Sequence, residues 1–193
     1  MARTKDFDEN EVLAKAIQLF WLRGYSGTSM QDLVDHLGIS RSSLYDTYTD
    51  KHTLFLRALE SYQDAGAARI SNIIGNSASA RETIKKLLEL VTTELLDDKQ
   101  QRGCFLVNAE VEVAPHDAEV GALICKNDQQ LEAAFYQVIK KGKESGEIKR
   151  TEDERSLTRF IFNAMKGMRV TARSTTDKAV FDDIITITLS TLF

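Results

Sequence analysis

The chain has 193 residues, 42% of them hydrophobic, with a formal charge of −4 at pH 7. That length buries a sizeable core, either as one domain or as a small head on a larger body. No stretch approaches the roughly 18 apolar residues of a membrane span, and the opening Met-Ala-Arg-Thr-Lys-Asp lacks the apolar centre of a signal peptide, so a cytoplasmic protein with no membrane partner is expected.

One proline, Pro115, leaves long helices permitted almost everywhere, and predicts an all-α chain. The first helix is long and amphipathic and ends in Phe20-Trp21-Leu22-Arg23-Gly24-Tyr25. The second is predicted to begin at Thr28, because Gln31 stands three residues later at capping-box spacing. Met30, Leu33, Val34 and Leu37 form its apolar stripe, and Gly38 supplies a residue tolerant of positive φ after its last turn. Ser40 can then cap a third helix. Only Leu44 and one face of Tyr45 and Tyr48 pack there. Arg41, Ser42 and Ser43 occupy its first turn, where side chains can reach base edges and N–H groups can face phosphate.

The runs Gly24–Leu33, Leu37–Tyr45 and Tyr48–Phe55, taken in order, resemble the DNA-binding domain of the TetR family of bacterial transcriptional regulators. The resemblance covers roughly the first quarter of the chain and rests on several ordered elements rather than on a lone helix-turn-helix. It implies about nine helices in two parts, a helix-turn-helix head over residues 1–50 and an effector-binding and dimerisation body over residues 51–193. Carried over residue by residue, it places Arg41, Ser42, Ser43 and Tyr45 on the base-facing side, with Gln31 reaching the same groove. Thr28, Thr47, Tyr48 and Lys51 match phosphate-facing positions. Arg forks onto guanine, hydroxyls adapt as donors or acceptors, and Lys meets phosphate as a point charge. Arg3 and Lys5 are candidates for a short basic arm. Against this stands the charge of the head, where residues 1–50 hold five Lys/Arg and eight Asp/Glu. Nonspecific affinity rests on phosphate neutralisation, so strong reliance on a dimer placing two heads together is expected.

Beyond the head, Asp50 can cap a helix running through Leu54, Leu59 and Tyr62 to about Ile74, long enough to act as a lever between head and body, with Gly75-Asn76-Ser77 breaking it. A helix carrying Ile84, Leu87, Leu88, Val91 and Leu95 follows, then a loop over residues 97–103. The family places its ligand pocket in the helices after the lever, which implies Glu94, Phe105, Asn108, Glu112, Tyr136, Phe162 and Met165 as lining for a small-molecule effector. Cys104 stands at a glycine-led helix start near Arg102, a setting in which a thiol can become reactive, and is the candidate redox thiol. Cys125, in the apolar run from Val120, is expected to be packing. Two broad apolar stripes close the chain, one over 152–172 and one from Asp177. Their residues Phe160, Ile161, Met168, Phe181, Ile184 and Ile185 are the expected homodimer interface, since such helices would otherwise stand exposed.

An active site finds no support. His36, His52 and His116 belong to no HExxH motif, and CxxC, glycine-rich phosphate loops and nucleophile elbows are missing; neither metal nor cofactor is expected. The reading is a homodimeric, effector-responsive regulator, with repression its usual output, released from a palindromic double-stranded DNA operator by a small molecule or by thiol modification. A helical small-molecule carrier without DNA binding is the alternative.

Overall fold

The structure, a computed structural model, describes residues 7–193, so the basic arm expected at Arg3 and Lys5 lies outside the described residues. Those residues form nine helices and no strand: α1 (Glu9–Arg23), α2 (Met30–Leu37), α3 (Arg41–Tyr48), α4 (Lys51–Asn76), α5 (Ala80–Asp97), α6 (Phe105–Glu112), α7 (Ala118–Glu144), α8 (Glu154–Thr171) and α9 (Lys178–Ser190). Among them no helix is long and apolar enough to cross a membrane.

The helix starts are set by short polar side chains. Asp8, Ser29, Ser40, Asp50, Ser79, Asp117, Asp153 and Asp177 each accept a backbone N–H in the first turn of the helix that follows. The capping box of α2 lies one residue later than the Thr28–Gln31 spacing predicts. Ser29 accepts from the Asp32 amide at 3.1 Å, and Asp32 accepts from the Ser29 amide at 2.9 Å. Thr28 is excluded because it is buried and its hydroxyl donates to the Gly24 carbonyl at 2.7 Å. Gly38 adopts φ 70°, ψ 26° and ends α2 as predicted. Gly75 and Asn76 lie within α4, whose last turn they extend rather than break; no added Cβ at Gly75 would meet a neighbour, so this position faces open space.

Two apolar cores result. One joins α5, α7, α8 and α9 around Ile84, Leu88, Phe135, Ile139, Ile161 and Phe181. The other surrounds Phe20, Leu33, Leu44, Phe55 and Leu59, and continues without a gap into Phe105, Leu106, Ala109 and Val120 of α6 and α7. Its aromatic rings interlock: Phe55 meets Phe20 at 5.1 Å and Phe105 at 5.7 Å between centroids, both edge-on. α6 is therefore built into the head's core as much as into the body.

Ile161, Met168 and Phe181 are 0% exposed and Ile185 is 7% exposed, so these four belong to the protomer's own core and not to a free dimer face. Each stripe is wide enough to hold both a core row and an outward row. The outward row carries Phe160, 47% exposed, together with Gly167 and the 63% exposed Ile187, which sequence reading passed over; Ile184 lies half-buried between the rows. Cys125 is exposed rather than packed, and both cysteines are free thiols.

Candidate nucleic-acid interface and effector cleft

α2 and α3 pack through Leu33, Leu37 and Leu44, which leaves the start of α3 on the surface. Ser40 organises it: its hydroxyl accepts from the Ser43 amide at 3.1 Å and lies 2.9 Å from the hydroxyls of both Ser42 and Ser43. Arg41, Ser42 and Tyr45 are exposed, Ser43 and Thr47 are half-buried, and Gln31 is exposed with its amide donating to Asp35 at 2.8 Å. A forked cation, an adaptable hydroxyl and a phenol thus share one surface at a helix N-terminus, a set able to read base edges while the N–H groups meet phosphate.

Three expected phosphate contacts are turned elsewhere. Thr28 is buried. Tyr48 is 6% exposed, and its phenol donates to the Glu9 carbonyl at 3.4 Å. The Lys51 ammonium donates to the carbonyls of Tyr25 at 3.0 Å and Thr28 at 2.9 Å while lying 4.1 Å over the Tyr25 ring. Burial pulls its pKa below the usual lysine value, with Glu112 opposing. Lys51 thus braces the turn between α1 and α2. The acidic surplus of the head has a similar explanation. Asp8, Asp32 and Asp50 are caps, and Asp32 also pairs with Arg23 at 2.6 Å. Hydrogen bonds from Ser29 hold Asp32 down to about 2.

Glu112 ties the body to this turn. From the end of α6 its carboxylate accepts from the Tyr25 amide at 3.2 Å and the Ser26 amide at 2.8 Å. Gly24 makes room: it adopts φ 76°, and an added Cβ would come within 2.6 Å of the carboxylate. Glu112, Phe105 and Asn108 therefore line a groove between head and body. Asn108 donates to the Arg102 carbonyl at 2.8 Å, which fastens the start of α6.

The principal cleft lies at the other end of α6. It holds about 450 Å3 and is bounded by Ile17, Trp21, Tyr62, Arg69, Glu94, Cys104 and Arg169, a size within the range of small-molecule sites. A second space of about 30 Å3, which shares Tyr62, Arg69, Glu94 and Arg169 with it, is lined by Phe135 and Met165. Of the expected lining, Glu94 and Met165 are there. Tyr136 and Phe162 border neither space; the Phe162 ring packs 6.5 Å from that of Phe135.

The partner of Cys104 is not Arg102, which instead pairs with Asp98 at 3.0 Å and lies 4.2 Å over the Trp21 ring. Arg169 Nη1 donates to Cys104 Sγ at 3.0 Å, with the Tyr62 hydroxyl 4.0 Å from the same sulfur. Burial, then Cys104, pushes the Tyr62 phenol well above its ordinary range. Arg169 is 65 residues from Cys104 and carried no local signal. Its spacing from Met165 on α8 is the only hint, since both face one wall. Among the described residues no three His, Cys, Asp or Glu side chains gather as a metal site.

Residues 12–58 match the model of the bacterial regulatory proteins of the tetR family, and residues 80–188 match that of the tetracyclin repressor-like C-terminal domain. The chain belongs to the TetR family. Over its whole length and that of its relative it is 35% identical to the uncharacterized HTH-type transcriptional regulator YezE of Bacillus subtilis (strain 168). It is 27% identical to the HTH-type transcriptional repressor ComR of Escherichia coli (strain K12), over 89% of this chain and 82% of that one. A solved cysteine mutant of the TetR family regulator CifR, complexed with 26bp double-strand operator DNA, superposes with a TM-score of 0.89, with 24% identity and full coverage of both chains. This TetR-family chain is therefore a DNA-binding transcriptional regulator and not an enzyme, and a carrier without DNA binding is set aside.

Proposed function

We propose that the protein is a cytoplasmic, homodimeric repressor that leaves a palindromic operator when its cleft takes up a small molecule or when Cys104 at the cleft wall is modified. The observation that carries the DNA half of this reading is the open Arg41, Ser42 and Tyr45 surface at the start of α3. Gln31, Ser43 and Thr47 flank it as secondary contacts. Two such heads on a two-fold axis would read successive major grooves about 34 Å apart. Phe160, Gly167, Ile184 and Ile187 supply the outward face of α8 and α9 on which a second copy would pack.

Release runs through α6. Its eight residues span about 12 Å, with Cys104 and the cleft at one end and Glu112 on the α1–α2 turn at the other. A shift of the first end therefore reaches the head directly. About 1.4 kcal/mol of differential binding is tenfold in operator affinity.

The test is selection of bound duplexes from a random pool with reduced protein at two salt concentrations. Enrichment of a two-fold symmetric site that Arg41→Ala no longer retains is expected. Failure to enrich any site at either salt overturns the reading.

A further inference from the structure

The wall of the cleft is one-sided in its hydrogen bonding. Its charged residues are Arg69, Glu94 and Arg169. Arg69 Nε pairs with Glu94 at 2.8 Å, so those two cancel. The Arg169 guanidinium is left with one protein acceptor, the sulfur of Cys104, for its five N–H groups. No carboxylate among the described residues forms an ion pair with it. Burial works against its charge, yet a guanidinium keeps its proton in proteins, so Arg169 stays cationic. Trp21 also borders the cleft, and its indole Nε1 is buried without a partner. Gln18, Ser61 and Tyr62 add neutral polar groups, and an apolar strip runs through Ile17, Ala65, Val91 and Leu95.

Arg169 is half-buried, and a guanidinium partly withdrawn from water without an anion is costly; its planar fork fits a carboxylate with two parallel hydrogen bonds. A cation would meet Glu94 already occupied and Arg169 repelling it. We propose that the cleft binds an amphiphilic monoanion, its carboxylate seated on Arg169 and its apolar tail lying against Ile17, Val91 and Leu95. The inference rests on reading the cleft as the effector site, and names the class of molecule that fills it.

Decanoate, decanol and decylammonium are the probes, titrated into the full-length reduced protein by calorimetry and by fluorescence of Trp21, the single tryptophan. Decanoate is expected to bind at least tenfold more tightly than either of the others. Arg169→Met should abolish that preference, and Arg169→Lys should keep most of it. A second readout needs no change at Arg169: in a Cys125→Ser background, decanoate should slow alkylation of Cys104 by iodoacetamide at least threefold, and decanol should not. Equal binding of decanoate and decanol, a preference that survives Arg169→Met, or unprotected Cys104 would each overturn the proposal. Operator affinity is measured separately. Tight decanoate binding that leaves the operator bound would sustain the anion site and defeat the effector reading of the cleft.

Discussion

Replacing Glu112 with Ala removes the carboxylate that accepts from the Tyr25 and Ser26 amides at 3.2 and 2.8 Å. A hydrogen bond to a charged acceptor contributes about 1.5–3 kcal/mol where it is shielded. Glu112 is exposed, so solvent screening brings the two together to about 1–2 kcal/mol. This loss falls on one turn and not on a core, so its clearest readout is local. Hydrogen exchange at the Tyr25 and Ser26 amides should accelerate about 5- to 30-fold, while exchange in the body helices α5 and α8 stays within the small change set by overall stability. Glu112→Gln keeps one acceptor oxygen and should fall between. Unchanged protection of both amides in the Ala variant would refute the link between α6 and the head, and with it the proposed route of release.

Further outcomes follow from other contacts. Asp32 titrates near 2 in the fold against an ordinary 3.8; its contribution is complete above about pH 4 and is lost as pH falls toward 2, so Asp32→Asn should flatten that part of the urea midpoint against pH. Lys166 donates to Glu110 at 2.8 Å and also bonds Asp128, joining α8 to α6 and α7. Lys166→Met leaves two partly buried carboxylates without their cation and should cost about 2 kcal/mol in chemical denaturation, whereas no loss would mean the triad is solvent-screened. Gly142 lies where an added Cβ would sit 2.7 Å from the Ala80 Cβ and 2.8 Å from the Ile148 side chain. Gly142→Ala should therefore destabilise by about 1–3 kcal/mol, despite the higher helix propensity of alanine; a raised melting temperature would contradict the packing.

What could be read from the sequence was local. The starts of α3, α4 and α9 at Ser40, Asp50 and Asp177 follow from short polar side chains preceding apolar periodicity, and the structure has them there. The start of α2 slipped by one residue because Thr28-Gln31 and Ser29-Asp32 have the same spacing. What separates them is burial of Thr28 against Gly24, which spacing does not encode. The exposed face of α3 at Arg41, Ser42 and Tyr45 was legible, whereas the inward turn of Tyr48 and Lys51 was not. A phenol and an ammonium can serve solvent or a carbonyl equally, and only the folded α1–α2 turn decides between them. The stripes of α8 and α9 showed which residues were apolar, but not which row faced the protomer's own core. Arg169 against Cys104 is a long-range pairing and lay beyond any local pattern.

The continuity of the head's core with α6 bears on how such regulators can be recombined. A chimaera cut near residue 50 would carry Phe20 away from Phe55, and one cut after α4 would still strip Phe55 and Tyr62 of Phe105. The transplanted reader would then present a raw aromatic surface to whatever scaffold received it, and its solubility and orientation would depend on an accidental fit. Exchange of DNA specificity is better attempted by substitution at the proposed contacts Arg41, Ser42 and Tyr45, or by moving the α6 face together with the head as one matched piece of lock and bolt.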